Sequence, residues 1–108
     1  MTHAAIAALN VEVDRAKEIF ASLTPAEWEA ASGCDGWRVQ DVAQHMAATF
    51  QKIAAPDTVD GGDSGHTETS AEVPVQQRKD WTPIEVIAAY QEWAGKGVTA
   101  LAALQEAP

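Results

Sequence analysis

The sequence predicts an all-α fold, an up-and-down helical bundle of three long helices plus a short helical turn. Large apolar residues recur at helical spacing in three stretches, and no stretch alternates in the manner of a strand. Two Thr-Pro pairs, at residues 24–25 and 82–83, have the cap and first-position chemistry of helix starts. The length of 108 residues suits a single domain over residues 1–108 with one modest core.

The first helix is predicted from about Thr2 or His3 to Ser22. Its apolar residues are separated by steps of three and four, at positions 6, 9, 13, 16, 20 and 23. Such a stripe covers one side of a helix and faces one partner surface.

A short helical turn is predicted directly after this helix. Thr24 suits the cap, Pro25 suits the first helical position, and Glu27 lies three residues after the cap. The turn is expected to present Trp28 to the core and to end at Ser32-Gly33.

The second long helix is predicted to start near Val39. It should end before Pro56, because the residue preceding a proline resists helical geometry. Asp41 lies in the first turn, where the helix dipole favours a negative charge. Asp35-Gly36, just upstream, has the composition of a turn.

Residues 56–80 are predicted to form a long connection. They contain Gly61-Gly62, prolines and many small polar residues, with no helical period. A connection of this length is uncommon inside a compact domain. It is expected to be either a mobile loop or a crossover between helices that are not hairpin neighbours.

The third long helix is predicted to follow Thr82-Pro83, with apolar residues at 87, 90, 94, 101 and 104. Gly95 and Gly97 interrupt it, and each glycine costs about 1 kcal/mol relative to alanine inside a helix. They indicate a close helix contact, a kink, or an end of the helix near residue 95.

Charge and composition exclude several classes of partner. Sixteen acidic and seven basic residues give a formal charge of −9, which argues against nucleic acid and against anionic membrane surfaces. No apolar run approaches the roughly 20 residues of a membrane span, and no signal peptide is evident. The expected location is the cytoplasm. Cys34 is the only cysteine, so an internal disulfide is excluded.

The stretch Cys34–His45 is the most informative part of the sequence. It follows Leu-Thr-Pro-x-x-Trp and contains Gly-Trp-x-Val-x-Asp-Val-x-x-His. With the long connection and the Thr-Pro start of the last helix, it resembles the N-terminal metal-binding domain of mycothiol-dependent maleylpyruvate isomerases, within the DinB-like group of four-helix bundles. The matching residues are Leu23, Thr24, Trp28, Cys34, Gly36, Trp37, Val39, Asp41, Val42 and His45.

The resemblance implies that His45 corresponds to the family's first metal ligand, usually for zinc. Relatives use the metal to activate a thiol, often mycothiol, in isomerase or transferase chemistry. The remaining family ligands lie on a fourth helix, which this chain is expected to lack.

A second departure from the family pattern concerns the start of the second long helix. Arg38 stands where relatives have a capping Thr or Ser, and its side chain cannot cap. Asp35 or Gly36 is expected to take over, so that the start of the helix is shifted or weakened.

Each candidate residue also has a structural interpretation. The residues alone favour a buried or half-buried core histidine at His45, since His3 and His66 have no helical relation to it, and only the resemblance supports a metal ligand. Cys34 could be an activated thiol, but a small residue packed beside two tryptophans is the stronger interpretation. Trp28 and Trp37 are expected to serve the core rather than to stack on a ligand.

Two functions remain open at this point. One is a divalent-metal-binding domain of the maleylpyruvate isomerase type, centred on His45. The other is a non-catalytic remnant of that scaffold that acts in dimerisation or protein binding. Without a fourth helix a groove should be exposed, so we expect a homodimer or a helix supplied by another chain. The sequence identifies no catalytic residue and no substrate, and whether the chain is an enzyme stays open.

Overall fold

The computed structural model describes residues 2–59 and 68–106, with the backbone alone at residues 68–70 and 106. This part of the chain forms five α-helices and contains no named strand. The helices are α1 (His3–Ser22), α2 (Pro25–Glu29), α3 (Val39–Ala54), α4 (Glu68–Gln77) and α5 (Pro83–Glu106), and a 3-10 helix (Pro56–Thr58) follows α3. The prediction of an all-α bundle with three long helices and a short helical turn is confirmed.

Two helix starts have the same reciprocal capping geometry. At α2 the Thr24 Oγ1 accepts from the Glu27 backbone N–H at 3.2 Å, and the Glu27 carboxylate accepts from the Thr24 N–H at 2.8 Å. At α5 the corresponding distances between Thr82 and Glu85 are 3.3 and 2.9 Å. Each box satisfies backbone donors that a helix start otherwise leaves unpaired.

Helix α5 is the centre of the bundle. Its most extensive interface is with α3, and it also packs against α1. Tyr90 is 2% exposed and meets Phe20 of α1 edge to face at 5.2 Å between ring centroids. Trp28, 3% exposed, extends this aromatic cluster with its centroid 5.7 Å from that of Phe20. The short α2 therefore closes one end of the core.

The glycines of α5 do not end the helix, which continues to Glu106. Gly97 lies against Phe50 of α3, and a Cβ built on it would lie 2.6 Å from Phe50 Cδ1. Gly95 faces open space. Of the three alternatives that the sequence left open, the close helix contact holds at Gly97, and the early end of the helix is wrong.

The connection over residues 56–80 contains more helix than its composition predicts. It includes the 3-10 helix and α4, while residues 60–67 lie outside the described part of the chain. Pro74 lies inside α4 and is fully buried together with Val75. A proline inside a helix normally costs about 3 kcal/mol, so α4 depends on its contact with α3 rather than on its own propensity.

No helix in the described ranges combines the length and the apolar character that crossing a membrane requires. This finding agrees with the absence of a long apolar run in the sequence.

The two glycines of α5 give a matched pair of substitutions. Gly97→Ala should lower the free energy of unfolding by about 1–3 kcal/mol, because the new methyl overlaps Phe50 in a packed interface. Gly95→Ala should raise it by up to about 1 kcal/mol, because alanine favours helix and its methyl meets no atom. Urea unfolding followed by circular dichroism measures both, and equal effects at the two positions would contradict the close α3–α5 contact.

Candidate functional site at the start of helix α3

A tight turn precedes α3 and places Trp37. The Trp37 N–H donates to the Cys34 carbonyl at 3.1 Å, and Gly36 between them has a φ of 79°. An L side chain rarely adopts that backbone conformation, which explains glycine at this position of the motif. The Ser32 hydroxyl donates to the Trp37 carbonyl at 2.8 Å and closes the turn.

The side chain of Arg38 joins three parts of the chain. Its Nε and Nη2 donate to the Asp41 carboxylate at 3.2 and 2.9 Å, and its Nη1 donates to both oxygens of Glu29 at 3.0 and 3.1 Å. Its Nη2 also donates to the Lys79 carbonyl at 3.0 Å. One guanidinium therefore links the end of α2, the first turn of α3 and the connection between α4 and α5.

The expectation that Asp35 or Gly36 caps α3 is wrong. Helix α3 begins at Val39 with Arg38 in the cap position, and the Arg38 side chain makes no cap hydrogen bond. Instead the Asp41 carboxylate accepts from the Arg38 backbone N–H at 2.9 Å. Asp41 thus makes its capping hydrogen bond although no Ser or Thr occupies the cap position. The helix therefore starts at Val39, and its start is not shifted.

The Arg38–Asp41 pair changes the ionisation of both groups. Burial alone would raise the pKa of Asp41, whose side chain is 5% exposed, but hydrogen bonds from the Arg38 guanidinium and backbone lower it overall. The same hydrogen bond to Asp41, working against burial, raises the pKa of Arg38. Both groups are charged at neutral pH.

Trp37 packs directly on His45. The two ring centroids lie 5.2 Å apart with the planes tilted by 48°. The indole Nε1 donates to the Glu72 carboxylate on α4 at 2.7 Å. Both rings are half-buried, so Trp37 covers one side of the imidazole while its polar edge is held by α4.

The environment of His45 favours the neutral imidazole. Burial lowers its pKa first, and the positive charge of Lys52 lowers it further. A neutral imidazole is the form that binds a metal ion. His45 therefore has the ionisation state of a ligand.

The partners that a metal would need are not assembled in the described residues. Within residues 2–59 and 68–106, no group of three His, Cys, Asp or Glu side chains is placed to hold a metal ion. His66 lies outside the described residues. The described residues thus place no second and third ligand beside the His45 imidazole and do not fit a complete zinc site, which takes about three protein ligands.

The expectation that Cys34 packs beside two tryptophans is wrong. The Cys34 side chain is exposed. Residue 34 lies at the start of the turn that precedes Trp37. Its backbone serves that turn, with its N–H donating to the Ser32 hydroxyl at 3.0 Å.

Three buried glutamines form a stripe along one face of α3, where two of them contact the connection between α4 and α5. Gln40, Gln44 and Gln51 are 1%, 2% and 5% exposed. The Gln40 side chain donates to the Trp81 backbone carbonyl, and the Gln51 side-chain amide oxygen Oε1 accepts from Arg78 Nη2 at 2.8 Å. This stripe was not predicted as part of the site, although glutamines at spacings of four and seven on one helix face were a visible signal.

Gln44 is the exception in this stripe. Neither its amide nitrogen nor its oxygen has a hydrogen-bond partner, and Arg78 Nη1 is also buried without one. A buried polar atom left unpaired costs about 1–3 kcal/mol.

An apolar groove of about 230 Å³ runs between α1 and α3. Tyr90 of α5 forms its floor. The other lining residues come from the two flanking helices: Leu9, Glu12, Val13, Arg15, Ala16, Ile19, Met46 and Phe50.

The sequence of this chain matches the model of a known family. A family model described as the mycothiol maleylpyruvate isomerase N-terminal domain matches residues 9–108. The chain belongs to this family. No curated protein and no solved structure shows a significant match. This match confirms the family resemblance that the sequence indicated through Trp28, Gly36-Trp37, Asp41 and His45. The role of His45 as a metal ligand remains a prediction.

The Arg38–Asp41 pair of this family member predicts a pH-dependent stability. Since the folded pKa of Asp41 lies below its unfolded value, the stabilisation is complete above the unfolded value of about 3.9 and is lost as the pH falls through the lower folded value. Asp41→Asn should cost about 1–3 kcal/mol at pH 7, because the charged partner of a buried hydrogen-bonded pair is removed.

Urea unfolding between pH 7 and pH 2 measures this effect. The difference between wild type and Asp41→Asn should shrink at the acid end, whereas Asp35→Asn, at an exposed position, should be close to neutral throughout. A constant difference across the whole range would contradict the ion pair.

Proposed function

We propose that this domain is a dimerisation module of its family, in which a second copy covers the groove between α1 and α3. The supporting observation is the groove itself, an apolar channel bounded by two helices and floored by Tyr90. An amphipathic helix laid into such a channel buries its apolar face.

Helix α1 has the apolar side chains that such a symmetric contact needs. Ile19 is 50% exposed at the edge of the groove, and Val11 is 54% exposed on the same helix. In a twofold-symmetric dimer the same patch of each copy meets itself. The exposed side chains of one α1 can therefore cover the groove of the other copy.

The charges along α1 are also self-complementary. Glu12 and Arg15 form an ion pair of 3.4 Å within α1 and both line the groove. Two antiparallel α1 helices that cross near residues 13 and 14 place Glu12 of each copy opposite Arg15 of the other. The formal charge of −9 opposes association, and the Debye length of about 8 Å at physiological ionic strength screens much of that repulsion.

The dimer proposal predicts a specific effect of charge in the groove. Ile19→Glu should weaken dimerisation at least tenfold, equal to about 1.4 kcal/mol, because each interface would contain two new carboxylates. The unfolding free energy of the monomer should change little, since Ile19 is half exposed. Light scattering over a concentration series at 0.15 M salt measures the dissociation constant.

Ile84→Glu is the matched control, because Ile84 is 79% exposed at the start of α5 and does not line the groove. It should dimerise like the wild type. A wild-type chain that stays monomeric at several hundred micromolar, or an Ile19→Glu chain that dimerises normally, would contradict the proposal.

A second candidate function, divalent-metal binding through His45, has its own supporting observation. The imidazole is half-buried, packed against Trp37 and favoured in its neutral form. Family membership supports mycothiol as the linked thiol, and the resemblance of the motif implies zinc as the usual metal. When bound, such a metal would activate the thiol for isomerase or transferase chemistry, and its remaining ligands would come from outside the described residues.

Metal content separates the two candidates. If His45 is a ligand, chain purified without added metal should contain zinc or another divalent metal, and His45→Ala should lose it while His3→Ala retains it. Mass spectrometry of the purified proteins measures the metal-to-chain ratio. A wild-type chain without metal would remove this candidate and leave the dimerisation proposal intact.

A further inference from the structure

Helix α1 has a second stripe of residues beside the stripe that faces the core. The core-facing stripe occupies positions 6, 9, 13, 16, 20 and 23, in steps of three and four. The same steps, begun one residue earlier, give the second stripe, which consists of Ala5, Ala8, Glu12, Arg15, Ile19 and Ser22. One residue corresponds to about 100° around a helix, so the second stripe lies next to the first.

The second stripe borders the groove between α1 and α3. Ile19 is 50% exposed, and the side chains of Glu12 and Arg15 are 62% and 63% exposed. All three residues line the groove, and Ala8 and Ser22 are exposed on the same helix. The edge of the groove on α1 therefore presents residues at the spacing by which two helices pack along their length.

Two copies of the second stripe are complementary in one antiparallel register. A twofold axis perpendicular to the two α1 helices makes them antiparallel and brings the same face of each together. With this axis between residues 13 and 14, Ile19 of each copy lies opposite Ala8 of the other, so that a large apolar side chain meets a small one. Glu12 of each copy lies opposite Arg15 of the other, so that each carboxylate meets a guanidinium.

Other antiparallel registers lose this complementarity. An axis at residue 12 places Glu12 opposite Glu12, and an axis at residue 15 places Arg15 opposite Arg15. A shift by a whole heptad places Arg15 opposite Ile19 or Ala5, without a countercharge. Like charges that face each other oppose association, and polar residues at such positions of paired helices select one register at some cost in stability.

The ion pair within α1 is available for exchange between copies. Glu12 Oε1 and Arg15 Nη1 are 3.4 Å apart, and both side chains are exposed. An exposed pair contributes little to the stability of a single chain, because water and salt compete with it. In the covered groove the same charges lie beside Leu9 and Phe50, where exclusion of water strengthens their interaction.

We infer that Glu12 and Arg15 select a second copy of this chain as the partner, by exchanging their ion pair between two antiparallel α1 helices. The inference rests on the proposed dimerisation at the groove, and it specifies the register and the selectivity of that dimer. A chain with the same groove and a reversed charge at one of the two positions is disfavoured as a partner.

Charge reversal at the two positions tests the inference. Arg15→Glu leaves two carboxylates in the second stripe, and Glu12→Arg leaves two guanidinium groups. Each variant alone should dimerise about tenfold more weakly than the wild type or worse, because like charges then face each other twice in the interface. Sedimentation velocity over a concentration series at 0.15 M salt measures the dissociation constants.

Two rescue experiments accompany the single variants. An equimolar mixture of Arg15→Glu and Glu12→Arg chains should form the heterodimer with about the affinity of the wild type, because every facing pair is again of opposite charge. Native mass spectrometry distinguishes this heterodimer from the two homodimers. A chain that combines Glu12→Arg with Arg15→Glu should form homodimers like the wild type, since the register pairs the exchanged charges in the same way.

Glu92→Arg and Lys96→Glu are the matched controls. These residues form an exposed ion pair of 3.1 Å on α5 and do not line the groove. Their reversal changes the net charge by the same amounts as reversal of Glu12 and Arg15, and both control chains should dimerise like the wild type. In 1 M salt, where the Debye length is about 3 Å, the effects of the groove variants should shrink.

Restored dimerisation in the mixture and in the double variant would support the inference. Charge variants that all dimerise like the wild type, while Ile19→Glu does not, would overturn it and leave the dimer at the groove intact. Control variants as weak as Arg15→Glu and Glu12→Arg would also overturn it, because net charge would then explain the loss. A monomeric wild type would instead contradict the proposed function itself.

Discussion

The ion pair between Arg38 and Asp41 is the interaction on which the candidate site depends. The Arg38 guanidinium holds the first turn of α3, the Glu29 carboxylate at the end of α2 and the Lys79 carbonyl before α5. The Asp41 side chain is buried and that of Arg38 is partly exposed, and such a pair contributes little net stability once the cost of desolvation is included. Here it fixes where α3 begins and how α2 and the α4–α5 connection meet that point.

The position of the site follows from that fixed start. Trp37 directly precedes Arg38 and lies over His45, two helical turns into α3. The indole Nε1 is held by Glu72 on α4. The contact of Trp37 with the imidazole therefore involves both α3 and α4. The apolar groove lies between α1 and α3, and its lining residues on α3 are Met46 and Phe50 rather than His45.

The fold could be predicted from the sequence because its strongest signals are local. Helical spacing and the Thr-Pro starts placed all three long helices and the short turn that presents Trp28. Helix α4 escaped prediction because Pro74 and a weak apolar period argue against a helix, and only contact with α3 stabilises it. Within the site, the motif identified His45 and Trp37. The hydrogen bonds from Trp37 to Glu72 and from Arg78 to Gln51 join distant segments, which spacing along the chain does not reveal.

The most direct test of the central role of Arg38 is the proton contact between the Trp37 and His45 rings, measured by nuclear Overhauser effects. In the wild type we expect ring-to-ring signals, since the centroids are 5.2 Å apart. In Arg38→Met these signals should disappear, while those between Phe20 and Tyr90 in the core persist. Retained contacts between Trp37 and His45 in Arg38→Met would contradict the claim that this guanidinium positions the site.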